Sequence, residues 1–170
     1  MINQNRPWLS HYDEGVPAEI DIPNQSLVDL LQQAVQLFGE STCIIADGVE
    51  HTYRKLDELS DQVAHYLVTK GIKKGDRVGL ILPNIPAFVI SYFGILKAGA
   101  VVMALNPAFH LSEINHMLAE SAVRALILPE ELYQKIQPRK GELGVDSFIV
   151  VNPAGILLSE GDSSWDDLIK

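Results

Sequence analysis

The sequence has a single cysteine, Cys43, in 170 residues, which excludes an internal disulfide and a multi-cysteine zinc site and suits the reducing cytoplasm. A nucleophilic role for Cys43 would need an activating base. The surrounding Ser41-Thr42-Cys43-Ile44-Ile45-Ala46 offers none, so the thiol reads as a buried strand residue. Positive charge is also scarce: 13 Lys plus Arg face 22 Asp plus Glu, a net charge of -9 and the wrong sign for holding a nucleic-acid backbone. The start of the chain lacks the apolar core of a signal peptide. Neither Gly-x-Gly-x-x-Gly nor Gly-x-x-x-x-Gly-Lys-Ser/Thr is present, so no dinucleotide fingerprint and no Walker loop is available. The five histidines, His11, His51, His65, His110 and His116, show no metal-ligand spacing.

What is present is an ordinary globular composition, 47% hydrophobic and 21% charged, long enough to bury a core without staples. One run, 85–105, has 21 residues and a single charge, Lys97, which by length could span a membrane. Lys97 inside the span and the interruptions Pro86, Gly94 and Gly99 argue instead for a strand-helix-strand unit in the middle of a parallel sheet, where strands covered on both faces read as continuous apolar runs.

The rest of the chain repeats that alternation. After a turn-rich leader to about residue 25, Ser26 reads as the cap of a helix that Gly39 ends, with Asp29 complementing the dipole. The Asp47-Gly48 pair predicts a β-hairpin over 42–53, because both turn positions need positive φ. Helices are expected over 54–70, 86–98, 111–120 and 130–136, and strands over 77–82, 101–105, 124–128 and 147–151. Strands separated by single helices predict an α/β fold: a doubly wound, mostly parallel sheet with flanking helices, preceded by a helix and a β-hairpin. Asp57, Glu58 and Asp61 read as a solvated stripe, and Lys97 as a cation suited to the end of its helix.

Gly71, Gly75 and Gly79 follow a helix and precede a strand, the reverse of a phosphate cradle, so their expected role is structural. Loops that directly follow strands of a parallel sheet converge on the usual ligand crevice. Asn84, Asn106, Pro107 and His110 are therefore the crevice candidates, the two carboxamides able both to donate and to accept hydrogen bonds. A residue that merely terminates a strand or makes a turn fits the same positions. No catalytic, cofactor-binding or metal-ligating residue is assigned.

Several spaced motifs carry a resemblance: Thr52-Tyr53-Arg54-Lys55-Leu56, Gly71-Ile72-Lys73-Lys74-Gly75-Asp76-Arg77-Val78, Leu82-Pro83-Asn84, the run from Tyr92 to Val102, and Asn106-Pro107. In that order they resemble the opening motifs of AMP-forming acyl-CoA synthetases over roughly residues 26–128. The leader, with Pro7-Trp8, Tyr12 and Gly15-Val16-Pro17, is similar to that of bacterial long-chain fatty acid CoA ligases; Asp13 and Ala104 stand where many relatives have Pro. The resemblance implies a two-step reaction of a fatty acid with ATP and CoA through an acyl-adenylate, assisted by Mg2+. The phosphate loop, the adenine and ribose motifs and the catalytic Lys of that family have no counterpart here, so the expectation is a catalytically incompetent N-terminal fragment that binds none of these cofactors tightly. It also implies a division into residues 1–53, serving a neighbouring sheet, and 54–170, the parallel subdomain. Peripheral membrane contact is compatible with it, whereas a transmembrane segment is not expected. The free hairpin edges are expected to pair two fragments into a homodimer. The rival reading is a stand-alone α/β binding or interaction domain without catalysis.

Overall fold

The computed structural model describes residues 6–152 and 155–169; the reading of the extreme amino terminus lies largely outside them. A 3-10 turn at Pro7–His11 leads into α1 (Leu27–Phe38), the hairpin β1 (Thr42–Ala46) and β2 (Val49–Thr52), and α2 (Tyr53–Thr69). Then follow β3 (Arg77–Leu80), α3 (Pro86–Lys97), β4 (Val101–Ala104), α4 (Leu111–Ser121), β5 (Val123–Pro129), α5 (Glu130–Ile136), α6 (Lys140–Leu143), β6 (Ser147–Val151), β7 (Ser163–Ser164) and α7 (Trp165–Leu168).

Local chemistry accounts for most of these boundaries. The Ser26 hydroxyl accepts the Asp29 N–H at 3.1 Å while the Asp29 carboxylate accepts the Ser26 N–H at 2.8 Å, a reciprocal cap that opens α1. Asp47 and Gly48 have φ of +50° and +76°, as the tight hairpin turn demands. Thr52 caps α2 by accepting the Lys55 N–H, so Tyr53 begins the helix instead of ending the hairpin. Gly39 ends α1 in a right-handed conformation; a Cβ there would lie 2.6 Å from the Arg54 guanidinium and 2.7 Å from the Val35 carbonyl oxygen.

Five strands form one all-parallel sheet in the order β4-β3-β5-β6-β7, and the hairpin forms a separate two-stranded sheet. Alternation along the strands sends side chains into two cores. Val78, Leu80, Ala125, Ile127, Ile149 and Val151 pack with α1, α2, α3 and α7; Leu126, Leu128, Phe148 and Val150 pack with α4, α5 and α6. The expected doubly wound α/β architecture is present. Three features differ from expectation. Strand β3 ends at Leu80, although Ile81 and Leu82 stay buried. The β7-α7 segment has no counterpart in the sequence reading, because two serines and a single helical turn carry too little periodicity to register. Finally, β4 lies at the edge of the sheet and Val101 is half exposed, so the apolar run 85–105 is covered around α3 but not on both sides of β4. Among the described residues no helix is long and apolar enough to cross a membrane.

The charged stripe of α2 also differs from expectation. Lys97 reaches from α3 to the Asp57 carboxylate at 2.6 Å, the Asp57 carbonyl at 2.9 Å and the Asp61 carboxylate at 2.7 Å, with its side chain only 8% exposed. Gly94 makes this contact possible, since its missing side chain lets α3 approach Val63 of α2.

Candidate functional site

The chain runs from β3 outward to β4, then crosses β3 to reach β5 on its other side. This reversal puts the crossovers on opposite faces and opens a crevice at the carboxyl ends of the strands, where parallel sheets receive ligands. A cleft of about 410 Å³ lies there, lined by Pro83, Ile85, Pro129, Glu130, Glu131, Val151 and Asn152. Its neighbour, about 500 Å³, is walled by Leu82, Pro83, Asn84, Phe88, Ala104, Leu105, Asn106 and Pro107. Asn84 and Phe88 also border an apolar groove against Ile44, Ile45 and Ala46 of β1, so the turn 83–88 touches all three depressions.

Three of the four sequence candidates, Asn84, Asn106 and Pro107, thus meet in one cleft. The Asn106 side-chain oxygen accepts the Ala108 N–H at 2.9 Å, which shapes its loop and leaves the amide N–H2 to donate. His110 does not line that cleft. It precedes α4 as an exposed cap residue whose backbone N–H donates to Glu113 at 2.9 Å.

Sequence reasoning missed Glu130, Glu131 and Asn152. A usable signal existed for the last: Asn152-Pro153 repeats the Asn106-Pro107 pattern directly after a strand. Asn152 has φ of +52°, a left-handed conformation that asparagine tolerates better than most residues. The two glutamates follow β5 without any loop and open a short helix, so no turn chemistry advertises them.

No Lys or Arg lines either cleft, and Glu130 and Glu131 bring negative charge to the rim. Among the described residues no group of His, Cys, Asp and Glu is placed to hold a metal ion. These residues do not fit a polyphosphate or its Mg2+, which demand cationic donors and clustered oxygen ligands respectively. Cys43 lies on β1, partly buried, and its thiol donates to the His51 carbonyl; burial pushes its pKa up, the opposite of nucleophile activation.

Comparison with known proteins agrees with this architecture. Residues 31–166 match the family described as AMP-binding enzyme. The chain is 31% identical to a long-chain-fatty-acid–CoA ligase of Bacillus subtilis over 151 residues, covering 89% of this chain but 27% of that protein. Its structure superposes on a long-chain-fatty-acid-CoA ligase from Archaeoglobus fulgidus with a TM-score of 0.79 and 25% identity, covering 93% of this chain and 32% of the other. An anthranilate CoA ligase in complex with anthranoyl-AMP gives a TM-score of 0.78 at 28% identity, over 88% of this chain and 29% of that one. The chain therefore spans about a quarter to a third of the length of these relatives. With the match extending over most of its residues, the chain belongs to the AMP-binding enzyme family.

Proposed function

We propose that this chain is the N-terminal part of a cytoplasmic AMP-forming ligase that joins a fatty acid to CoA at the expense of ATP. The carboxylate of the acid attacks the α-phosphate of ATP, a P–O bond forms and pyrophosphate leaves; the CoA thiol then attacks the acyl carbon of the adenylate and AMP leaves. The observation that carries this reading is the family match over residues 31–166, together with the long-chain ligase of B. subtilis among the relatives. Within it, residues 54–170 supply a parallel layer whose carboxyl-end clefts border the ligands through Asn84, Asn106 and Pro107. Residues 1–53 supply a helix and hairpin that serve a neighbouring layer. Among the described residues the hairpin and the five-stranded sheet share no strand pairing, which supports that division.

In this reading the phosphate-neutralising groups are supplied by residues other than those lining these clefts, and the lack of Lys or Arg in the two linings supports it. Calorimetric titration of the chain with ATP plus Mg2+, and separately with CoA, tests the reading alongside an assay for acyl-CoA. The expected result is no measurable heat of binding and no product from the chain alone. Nucleotide affinity without turnover would favour a stand-alone binding domain, and turnover would overturn the assignment of the phosphate site to other residues. The same reading has the chain pairing with a second copy of itself through the free edges of the hairpin over 42–53.

A further inference from the structure

We propose that residues 155–161, the return from β6 to β7, form a hinged strap that opens as a unit, with the Tyr133 hydroxyl as its latch and the switch-point cleft as the site it loosens. This goes beyond the ligase reading and does not depend on it. Among the described residues no strand or helix includes the strap, and its one backbone-to-backbone bond is the Ser159 carbonyl accepting the Asp162 N–H at 3.0 Å. Gly155 and Gly161, at its two ends, have φ of +83° and +87°, and a Cβ on either would meet no described atom within 4 Å. Both ends therefore have the backbone freedom and the open surroundings that a hinge needs. Leu157, between them, is 97% exposed, whereas Ile156 and Leu158 pack against the core that contains Tyr133 and Phe148. A segment with so few hydrogen-bonded amides opens for less than the free energy of global unfolding.

Two side chains close the strap. The Tyr133 hydroxyl accepts the Ser159 N–H at 3.0 Å and donates to the Asp162 carboxylate at 3.1 Å, so one oxygen holds both the middle of the strap and the residue after it. Gln137 donates to the Ser159 hydroxyl at 2.7 Å. Asp162 stays fixed without Tyr133, because Lys140 at 2.5 Å and the Phe148 N–H at 2.8 Å remain on its buried carboxylate. The strap thus has a firm anchor beyond Gly161 and a light catch at Ser159. The helix that carries the catch also walls the cleft: Glu130 and Glu131 open α5, and they line the cleft together with Asn152, three positions before the strap. Releasing the catch frees the strap from that helix and leaves the wall less constrained. By linkage, a ligand that fixes the wall favours the closed strap.

Amide hydrogen exchange of the chain, read by mass spectrometry, tests the proposal independently of any nucleotide measurement. The expected result is faster exchange over 155–161 than over β5 and β6. Tyr133→Phe keeps the ring against Phe148 and removes only the hydroxyl. It is expected to raise exchange over 155–161 about tenfold, with a smaller rise at 130–131 and 152 and none in β3. Gln137→Ala is expected to give a smaller rise of the same kind and serves as the second variant should Tyr133→Phe misfold. Wild-type exchange over 155–161 as slow as in β6, a strap unmoved by both variants, an effect equal in every strand, or a loosened strap with no change at 130–131 and 152 would each overturn the proposal.

Discussion

Gly94 shows how one absent side chain sets a helix interface. A Cβ at this position would lie 2.6 Å from both Cβ and Cγ1 of Val63 and 3.0 Å from the Ser60 carbonyl oxygen. None of these atoms ends a flexible chain, so Gly94→Ala must push α3 off α2. The expected cost is about 2 kcal/mol, read as a fall in Tm on the order of 5 °C, despite the higher helix propensity of alanine. Lys97, one turn further along α3, holds the same interface by charge. In Lys97→Met the apolar volume is largely kept but three acceptors on α2 lose their donor. Because Asp61 remains well exposed and Asp57 partly so, water recovers some of that loss, and a destabilisation of about 2 kcal/mol is expected in urea unfolding. A shift in urea midpoint no larger than that of an exposed lysine substitution would show that the contact contributes no more than a surface pair.

At the scale of the element, the start of α1 depends on a reciprocal pair of side-chain bonds and not on burial. Ser26 and Asp29 are both exposed, and only Leu31 of this helix is fully buried. Ser26→Ala is therefore expected to cost about 1 kcal/mol, measured by the thermal transition, with amide exchange rising first over the opening turn. The sequence made this cap legible because Ser26 and Asp29 sit within four consecutive positions at the head of an apolar series at helical spacing, from Leu27 to Phe38. The hairpin was legible for a similar reason: Asp47-Gly48 dictates its own dihedral angles, and no distant residue is needed to fold it. The end of β3 was not legible. Ile81 and Leu82 look like strand residues in sequence and are as buried as strand residues, yet the strand ends at Leu80, with the Ile81 N–H still donating to the Ile127 carbonyl at 2.9 Å.

At the scale of the molecule, the amino end of the sheet is tied by Arg124. Its guanidinium donates to Asp146 at 2.6 and 2.8 Å, to Asp76 at 3.0 Å and to the Gly71 carbonyl at 3.1 Å, linking the starts of β3, β5 and β6. The Asp76 carboxyl is held below its ordinary pKa, first by the backbone N–H of Lys73 at 2.8 Å and then by Arg124. An unfolded chain binds that proton more readily. The stabilisation is therefore complete above the ordinary carboxylate pKa and is lost as pH falls through the lowered folded value. Asp76→Asn is expected to flatten the acid limb of the stability profile below about pH 4. Urea midpoints measured from pH 5 downward check this, and a slope identical to wild type would remove Asp76 from the acid response. At the far side of the sheet, the fully buried Asp162 carboxylate accepts from Lys140, Tyr133 and the Phe148 N–H. That cluster gathers α5, α6 and β6 around the return segment, and no spacing in the sequence brings those residues together.

The sequence by itself determined what depends on near neighbours: the caps, the hairpin turn and the alternation of strand and helix. Asn84, Asn106 and Pro107 line one cleft because a residue that follows a parallel strand emerges at the carboxyl edge, a placement the strand spacing already implies. Tertiary structure decided which strands became neighbours. Only the order β4-β3-β5-β6-β7 reveals that β4 is the outermost strand among the described residues, that the switch-point cleft includes Glu130 and Asn152, and that His110 caps a helix outside it. It likewise decided that Lys97 answers Asp57 and Asp61, groups 40 and 36 positions away. Such pairings follow from how helices and strands pack across the core, and a one-dimensional pattern carries no record of that geometry.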